Sequence, residues 1–191
     1  MRDFLSNLKR KTIVLGLVGA VALATAAVAL AGNITATATV SGAGALSLTH
    51  GGSATVGPVT LDGSDQTVNY TLPLTIVDAR GSGAGWNATI TSTTFNDGSG
   101  HTLATSASSV SGVTSSCNAG GSCTAPTNSI SYPLTVPAGA TAPAAVKVFN
   151  AAANTGMGRF TVTPTIGVTV PGNAYAGTYS STVTVAAVSG P

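Results

Sequence analysis

The feature that most constrains the fold of this chain is an alternation of apolar residues with threonine and other small polar residues. Apolar side chains fall mostly at every second position in five segments: 34–40, 68–76, 86–91, 160–170 and 179–187. In a β-strand, successive side chains point to opposite faces, so a two-residue period gives each segment one buried face and one solvent-exposed face. The sequence therefore predicts an all-β protein.

Shorter segments extend this pattern and suggest an architecture. The further candidate strands are 46–49, 55–61, 129–134 and 145–149. About nine short strands separated by Gly, Pro, Asn and Asp are typical of a sandwich. We therefore expect a single antiparallel β-sandwich domain of the Ig-like type.

Two features interrupt the regular strand pattern. Residues 96–128 are rich in Ser and Gly and poor in large apolar residues, so we interpret them as a surface excursion. Pro73 and Pro164 lie inside predicted strands. Because proline cannot donate a hydrogen bond to a β-ladder, these strands are expected to be edges or to contain bulges there.

The N-terminal residues have the layout of an export signal. Four of the seven basic residues lie among the first eleven positions, and an uncharged apolar run follows from residue 13 to Ala31. The run ends in Ala29-Leu30-Ala31, a pattern typical of a cleavage site. We expect an N-terminal signal helix in 1–31, cleavage after Ala31, and the β-sandwich domain in 32–191. A retained membrane anchor is the alternative, because the run has about bilayer-spanning length.

Charge and cysteine content restrict the partners and the cellular compartment. After residue 31 the chain has three basic and four acidic residues, a formal charge of −1. Nucleic-acid binding needs more phosphate contacts than three basic side chains supply, so we exclude it. Membrane contact is expected only through the N-terminal segment, if it is uncleaved. Cys117 and Cys123 are close in sequence, so in an exported protein we expect them to form a disulfide.

The sequence contains no recognisable catalytic or metal-binding pattern. There is no Gly-x-Ser-x-Gly nucleophile motif. His50 and His101 lie beside glycines, and we interpret both as exposed turn histidines. The acidic turns at 62–65 and 96–100 contain too few carboxylates for a calcium site. We predict a non-enzymatic protein without catalytic residues, bound metal or cofactor.

The densest group of distinctive residues lies in 78–90. Asp78 and Arg80 precede a glycine-rich loop that contains Gly83 and Gly85, and Trp86 begins the next strand. We expect Asp78 and Arg80 to form an ion pair across the turn. A lone tryptophan on an alternating strand usually packs inward, so Trp86 is predicted to be a core residue. A sugar-stacking role for Trp86 is the alternative.

These residues carry a family resemblance. The run Leu74–Asn87, with its D-x-R-G-x-G-x-G-W loop, resembles the first signature of WxL-domain cell-surface proteins. The segment Ala174–Val185 resembles the closing strand of that family. The resemblance covers about residues 32–191 and implies export and non-covalent attachment to the bacterial cell wall through peptidoglycan. The candidate motif or wall-binding residues are Asp78, Arg80, Gly83, Gly85, Trp86 and Tyr179.

Two functions are therefore expected from the sequence. The first is a secreted, non-enzymatic protein at the cell surface, whose partner is peptidoglycan or another wall polymer; other surface proteins are further candidate partners. The alternative is a structural subunit of an extracellular fibre or coat, assembled by β-strand addition. In that case residues 34–40 are the candidate donor strand.

Overall fold

The structure, a computed structural model, describes residues 36–42 and 44–191. The signal segment 1–31, with Ala29 and Ala31, lies outside these residues. The described part of the chain contains no helix, and therefore no helix that could cross a membrane. It forms ten strands: β1 (Ser47–His50), β2 (Gln66–Thr71), β3 (Leu74–Asp78), β4 (Trp86–Thr93), β5 (Ser108–Cys117), β6 (Leu134–Thr135), β7 (Ala138–Gly139), β8 (Val146–Ala151), β9 (Gly158–Val170) and β10 (Val183–Ser189). The prediction of an all-β protein is confirmed.

The first sheet is built around β9, its longest strand. β5 pairs with β9 along one side, whereas β3 and β2 pair with successive parts of the other side. β1 extends the sheet beyond β3, and β6 extends it beyond β5. All of these pairings are antiparallel, as expected.

The second sheet is built around β4. β10 pairs antiparallel with one side of β4, from Val183 opposite Ser92 to Ser189 opposite Trp86. β8 pairs antiparallel with the other side, with a register shift between Ala88 and Thr89. β7 continues that side but runs parallel to β4. The sandwich is therefore antiparallel except for this two-residue strand.

Aromatic side chains join the two sheets across the core. The ring centroids of Trp86, on β4, and Phe160, on β9, are 6.4 Å apart. Phe149, on β8, lies 5.8 Å from the Trp86 ring on the same measure. The apolar residues around them include Ile76, Ile90, Val110, Val148, Val162 and Ile166, each at most 1% exposed. The two sheets therefore pack face to face around one core, which confirms the sandwich.

The prediction that residues 96–128 form a surface excursion is wrong for β5. This strand pairs with β9 from Ser108 opposite Val168 to Cys117 opposite Phe160. The period-two pattern is weak because Val110 and Val113 are its only large apolar residues, and its last four residues are exposed on both faces. Backbone pairing with β9, rather than side-chain burial, therefore defines the outer half of β5.

The two prolines occupy different environments. Pro73 lies in the break between β2 and β3, so the predicted strand 68–76 is two strands. Pro164 lies inside the central strand β9, so it is not on an edge, but the register of β5 on β9 shifts between Val110 and Gly112, beside the adjacent Thr165. Its carbonyl accepts a hydrogen bond from the Leu72 N–H at 3.0 Å. In an antiparallel strand the N–H and C=O of one residue point to the same side. An N–H at Pro164 would therefore point to the break between β2 and β3, so its absence removes few hydrogen bonds from the sheet.

Several shorter predictions need correction. Residues 55–61 form no strand, and of residues 129–134 only Leu134 belongs to one. Residues 36–40 are exposed and irregular, whereas residues 34 and 35 lie outside the described part. β10 begins at Val183, so Tyr179 precedes it.

Candidate functional site

Residues 78–86, which we call the signature loop, connect the two sheets, and an ion pair holds this loop in place. Asp78 ends β3 in the first sheet, and Trp86 begins β4 in the second. Arg80 donates from Nε to Asp78 Oδ1 at 2.8 Å and from Nη2 to Asp78 Oδ2 at 2.9 Å. The Asp78 side chain is only 1% exposed and that of Arg80 15%. The expected pair is present, and it is a two-point contact shielded from water.

Arg80 also ties the loop to the end of β10. Its Nη2 donates to the Gly85 carbonyl at 2.7 Å, and its Nη1 donates to the Ser189 hydroxyl. The Gly85 carbonyl also accepts the Gly190 N–H at 3.1 Å. The hydrogen bonds from Arg80 lower the pKa of Asp78, and the carboxylate raises the pKa of Arg80. Both groups therefore remain charged at neutral pH.

Gly83 and Gly85 allow the loop to lie against the segment that follows β8. Both have positive φ, at 64° and 71° respectively. A Cβ at Gly85 would lie 2.5 Å from the Ala151 carbonyl oxygen, and one at Gly83 would lie 2.8 Å from Asn154 Oδ1. The Gly83 carbonyl accepts the Asn154 N–H at 2.7 Å. A side chain at Gly85 would force the two segments apart, because it would meet backbone atoms, whereas one at Gly83 would first displace the Asn154 side chain.

Trp86 lies in the core. It has no exposed surface, and its Nε1 donates to the Gly156 carbonyl at 2.8 Å. Gly156 has a φ of 67°, and a Cβ there would lie 2.7 Å from Trp86 Nε1. The indole ring is therefore fully enclosed by the core, and its one polar atom, Nε1, has a hydrogen-bond partner. In this fold no face of the ring is available to a sugar.

Tyr179 lies at the other end of the second sheet from Trp86. The pairing of β10 with β4 places Ser189 beside Trp86, whereas Val183 lies beside Ser92. Tyr179 precedes Val183, and its hydroxyl donates to the Tyr175 carbonyl at 3.1 Å. The structure therefore brings five of the six candidate residues together in the signature loop and separates Tyr179 from them.

A cleft of about 550 Å³ lies beside Tyr179, and we call it the Tyr175 cleft. Strands β2 and β9, the segments 56–61 and 174–179, and two side chains that follow β4 form its walls. The lining residues are Val56, Gly57, Pro58, Val59, Thr60, Leu61, Val68, Phe95, Leu103, Val168, Val170, Ala174, Tyr175, Ala176, Gly177, Thr178 and Tyr179. None of them is charged. The cleft therefore combines an apolar lining with exposed aromatic and hydroxyl groups.

A stacked pair of rings lies at this cleft. Tyr175 is 65% exposed, and its ring lies 3.8 Å from that of His101, centroid to centroid, with 17° between the planes. His101 Nδ1 donates to Asp97 Oδ2 at 2.6 Å. The other Asp97 oxygen accepts the backbone N–H groups of His101 and Ser99 at 3.0 and 2.8 Å. The hydrogen bond from His101 lowers the pKa of Asp97.

This arrangement was not predicted from the sequence. His101 was interpreted as an exposed turn residue, but its side chain is 38% exposed and is held between Asp97 and Tyr175. The Asp97-to-His101 spacing was the available local signal, because an aspartate in a tight turn often bonds nearby backbone groups. Tyr175 belongs to a distant segment, and no local pattern indicates its contact with His101.

The remaining predicted features concern the cysteines and metal sites. Cys117 and Cys123 form the expected disulfide, which closes a short loop after β5. Among residues 36–42 and 44–191, no three His, Cys, Asp or Glu side chains are grouped closely enough to hold a metal ion.

Comparison with known proteins gives one match. A family model described as "WxL domain surface cell wall-binding" matches residues 26–186. No curated protein and no solved structure matches the chain. The matched range includes the signature loop, the Tyr175 cleft and most of β10.

Proposed function

The chain belongs to the WxL family of surface cell wall-binding domains, and from this we propose that it is an exported, non-enzymatic protein that holds non-covalently to peptidoglycan. The family match carries this proposal, because it spans both sheets and identifies a wall-binding domain at the cell surface. The wall-associated location follows from the family itself. The polymer, the non-covalent attachment and the absence of catalysis are parts of the proposal.

The distribution of charge supports an uncharged wall component as the partner. Of the basic side chains after residue 35, Arg80 is paired with Asp78, and Lys147 donates to the Pro191 carbonyl at 2.7 Å. Arg159 is exposed. Binding of a polyanion relies on clustered cations, which this part of the chain does not offer. The glycan backbone of peptidoglycan fits this surface better than a phosphate-rich polymer.

The domain organisation is part of the same proposal. Residues 1–31 direct export and are removed after Ala31, and residues 32–191 form the wall-binding domain. The intact mass of the exported protein tests this, with an N-terminus at Gly32 as the expected result. Protein found in the membrane fraction with Met1 still present would favour the anchor instead.

Sedimentation with purified peptidoglycan sacculi tests the proposed function. The exported protein is expected to pellet with sacculi and to be released intact by a detergent that denatures it. Incubation should release no soluble muropeptides, because the proposal includes no catalysis. Protein that stays in the supernatant at every sacculus concentration would contradict wall binding, and muropeptide release would contradict the non-enzymatic role.

A second candidate function is favoured by the outer edge of β10. This strand ends the second sheet and contains neither a charged residue nor a proline. Val188 on it is 47% exposed. Natural sheets usually protect such edges, and an unprotected edge can accept a strand from another molecule. The alternative is therefore a fibre or coat subunit that assembles by strand addition.

Electron microscopy and denaturing gels distinguish this alternative. Filaments of the purified protein, with oligomers that resist detergent, would support it. Val188→Lys should then abolish the oligomers, because a charge would lie on the joining edge. A strictly monomeric protein at high concentration would contradict the alternative.

A further inference from the structure

We propose that the Tyr175 cleft is the glycan-binding site of this domain and that the Tyr175 ring is the platform on which a neutral sugar stacks. This inference rests on the proposed wall-binding function and assigns it to one surface. The signature loop is the other conspicuous group of residues, but its Trp86 and Asp78 side chains are buried. These two side chains therefore offer no surface on which a sugar could stack.

The orientation of Tyr175 is the first observation in favour. The ring is 65% exposed, yet one face is covered by the nearly parallel imidazole of His101. An exposed tyrosine normally loses side-chain freedom when a ligand stacks on it, and that loss weakens binding. Here His101 already restricts the ring. The uncovered face is therefore presented to a ligand at a reduced entropic cost.

The support behind this ring is itself held in place. Asp97 accepts hydrogen bonds from the His101 ring and from two backbone N–H groups, so both of its oxygens are used. The Tyr179 hydroxyl donates a hydrogen bond to the Tyr175 carbonyl and so restrains the backbone of Tyr175. His101 and Asp97 are therefore positioning residues, whereas Tyr175 is the contact residue.

The chemistry of the cleft selects a neutral sugar. Its lining contains no charged side chain, and Phe95 and Val168 contribute apolar surface. The Asp97 carboxylate lies close to Gly177 in the cleft wall, where an added Cβ would be 3.6 Å from Oδ2. This carboxylate is engaged by His101 and two backbone N–H groups, and no lining side chain of the cleft is a cation that would attract an anionic polymer. N-acetylated sugar rings instead offer C–H faces to Tyr175 and methyl groups to the apolar lining.

The size of the cleft agrees with this ligand. Its volume of about 550 Å³ lies within the range of about 300–1,000 Å³ that is usual for small-ligand sites. It therefore accommodates a short stretch of glycan rather than a whole wall fragment. The remainder of the strand would extend over the exposed surface.

The test measures binding of the exported protein to sacculi and to the tetramer of N-acetylglucosamine, the latter by isothermal titration. Tyr175→Ala should weaken both by about tenfold or more, the lower end of the effect that loss of an aromatic ring has on stacked nucleic-acid bases. Tyr175→Phe should retain most of the binding that Tyr175→Ala loses, because stacking uses the ring and not the hydroxyl. Val188→Ala is the matched control, since it removes exposed apolar surface on β10 outside the cleft.

The outcomes separate this inference from the proposed function. If wild type and Tyr175→Ala sediment equally with sacculi, the protein binds the wall but the cleft is not the site. If a glycerol phosphate polymer binds and the sugar tetramer does not, the neutral-glycan assignment is wrong. If wild type fails to sediment at all, the proposed function fails together with the inference. The inference is supported only if Tyr175→Ala loses binding to sacculi and to the sugar tetramer while Tyr175→Phe retains it.

Discussion

The Arg80 guanidinium donates to both carboxylate oxygens of Asp78 and also reaches the Gly85 carbonyl and the Ser189 hydroxyl. One side chain thus joins the end of β3, the signature loop and the end of β10. Because β3 and β10 belong to different sheets, Arg80 fastens the two layers together at this end of the sandwich. The Asp78 and Arg80 side chains of the motif therefore have a structural role in the fold.

Replacement of Arg80 by Met should be strongly destabilising. The change leaves the buried Asp78 carboxylate without its partner, which typically costs about 3–5 kcal/mol. Arg159→Met is the matched control, because Arg159 is exposed and forms no ion pair within the described residues. Urea unfolding of both variants at pH 7 measures the difference. Equal stability of the two variants would contradict the role of the pair.

The same pair predicts how stability depends on pH. The pKa of Asp78 is lower in the folded protein than its ordinary value of 3.8, chiefly because Arg80 hydrogen-bonds to it. Its stabilising contribution is therefore complete above about pH 5, well above the unfolded pKa, and is lost as pH falls through the folded pKa. The stability difference between wild type and Asp78→Asn should accordingly shrink between pH 5 and pH 2. If the stability difference between wild type and Asp78→Asn grew as the pH fell, the predicted direction of the pH dependence would be wrong.

Replacement of Trp86 by Phe should lower the stability less than replacement by Ala. Trp86→Ala removes the largest fully buried side chain and should cost about 3–5 kcal/mol through lost contacts and the cavity left behind. Trp86→Phe keeps an aromatic ring against Phe149 and Phe160 but leaves the Gly156 carbonyl unpaired, so a loss of about 2 kcal/mol is expected. Chemical unfolding of both variants tests this order. If Phe costs as much as Ala, ring packing is not the main contribution.

A comparison of Gly85→Ala with Gly98→Ala distinguishes the cost of backbone strain from the cost of a steric clash, because the two glycines have similar backbone angles. Gly85 has a φ of 71° and an added Cβ would meet the Ala151 carbonyl, whereas Gly98 has a φ of 76° and open space around it. Gly98→Ala should therefore cost only the left-handed penalty, about 1–2 kcal/mol. Gly85→Ala should cost about 1–3 kcal/mol more, because two segments must move apart. Similar melting temperatures for the two variants would contradict the close approach of the loop to Ala151.

Long alternating segments made much of the fold predictable. Most strands were found because one face of each is buried, and Trp86 was assigned to the core because it is a lone tryptophan on an alternating strand. β5 was missed because its small polar side chains leave no clear two-residue period, although its backbone pairs with β9 along most of its length, on both sides of a register shift between Val110 and Gly112. Parallel pairing of β7 was missed as well, since two residues are too few to show any pattern.

The candidate site was predictable only in part. The Asp78 and Arg80 pair is local, two residues apart, so sequence spacing was sufficient to suggest it. Tyr179 was singled out, but the cleft beside it is formed by β2, β9, residues 56–61 and two residues after β4, which are far from it in sequence or on other strands. The contact of Tyr175 with His101 joins residues far apart in sequence, and only the folded topology brings them together. Such pairs produce no signal in a single sequence.

The measurement that tests the account most directly compares Trp86→Phe and Tyr175→Ala in one experiment, with thermal unfolding and sedimentation with sacculi recorded for each. The account predicts that Trp86→Phe melts at a lower temperature but sediments like wild type below that temperature. It predicts that Tyr175→Ala melts like wild type and stays in the supernatant. The reverse result, with normal stability and lost sedimentation in Trp86→Phe and normal sedimentation in Tyr175→Ala, would show that the signature loop and not the Tyr175 cleft binds the wall.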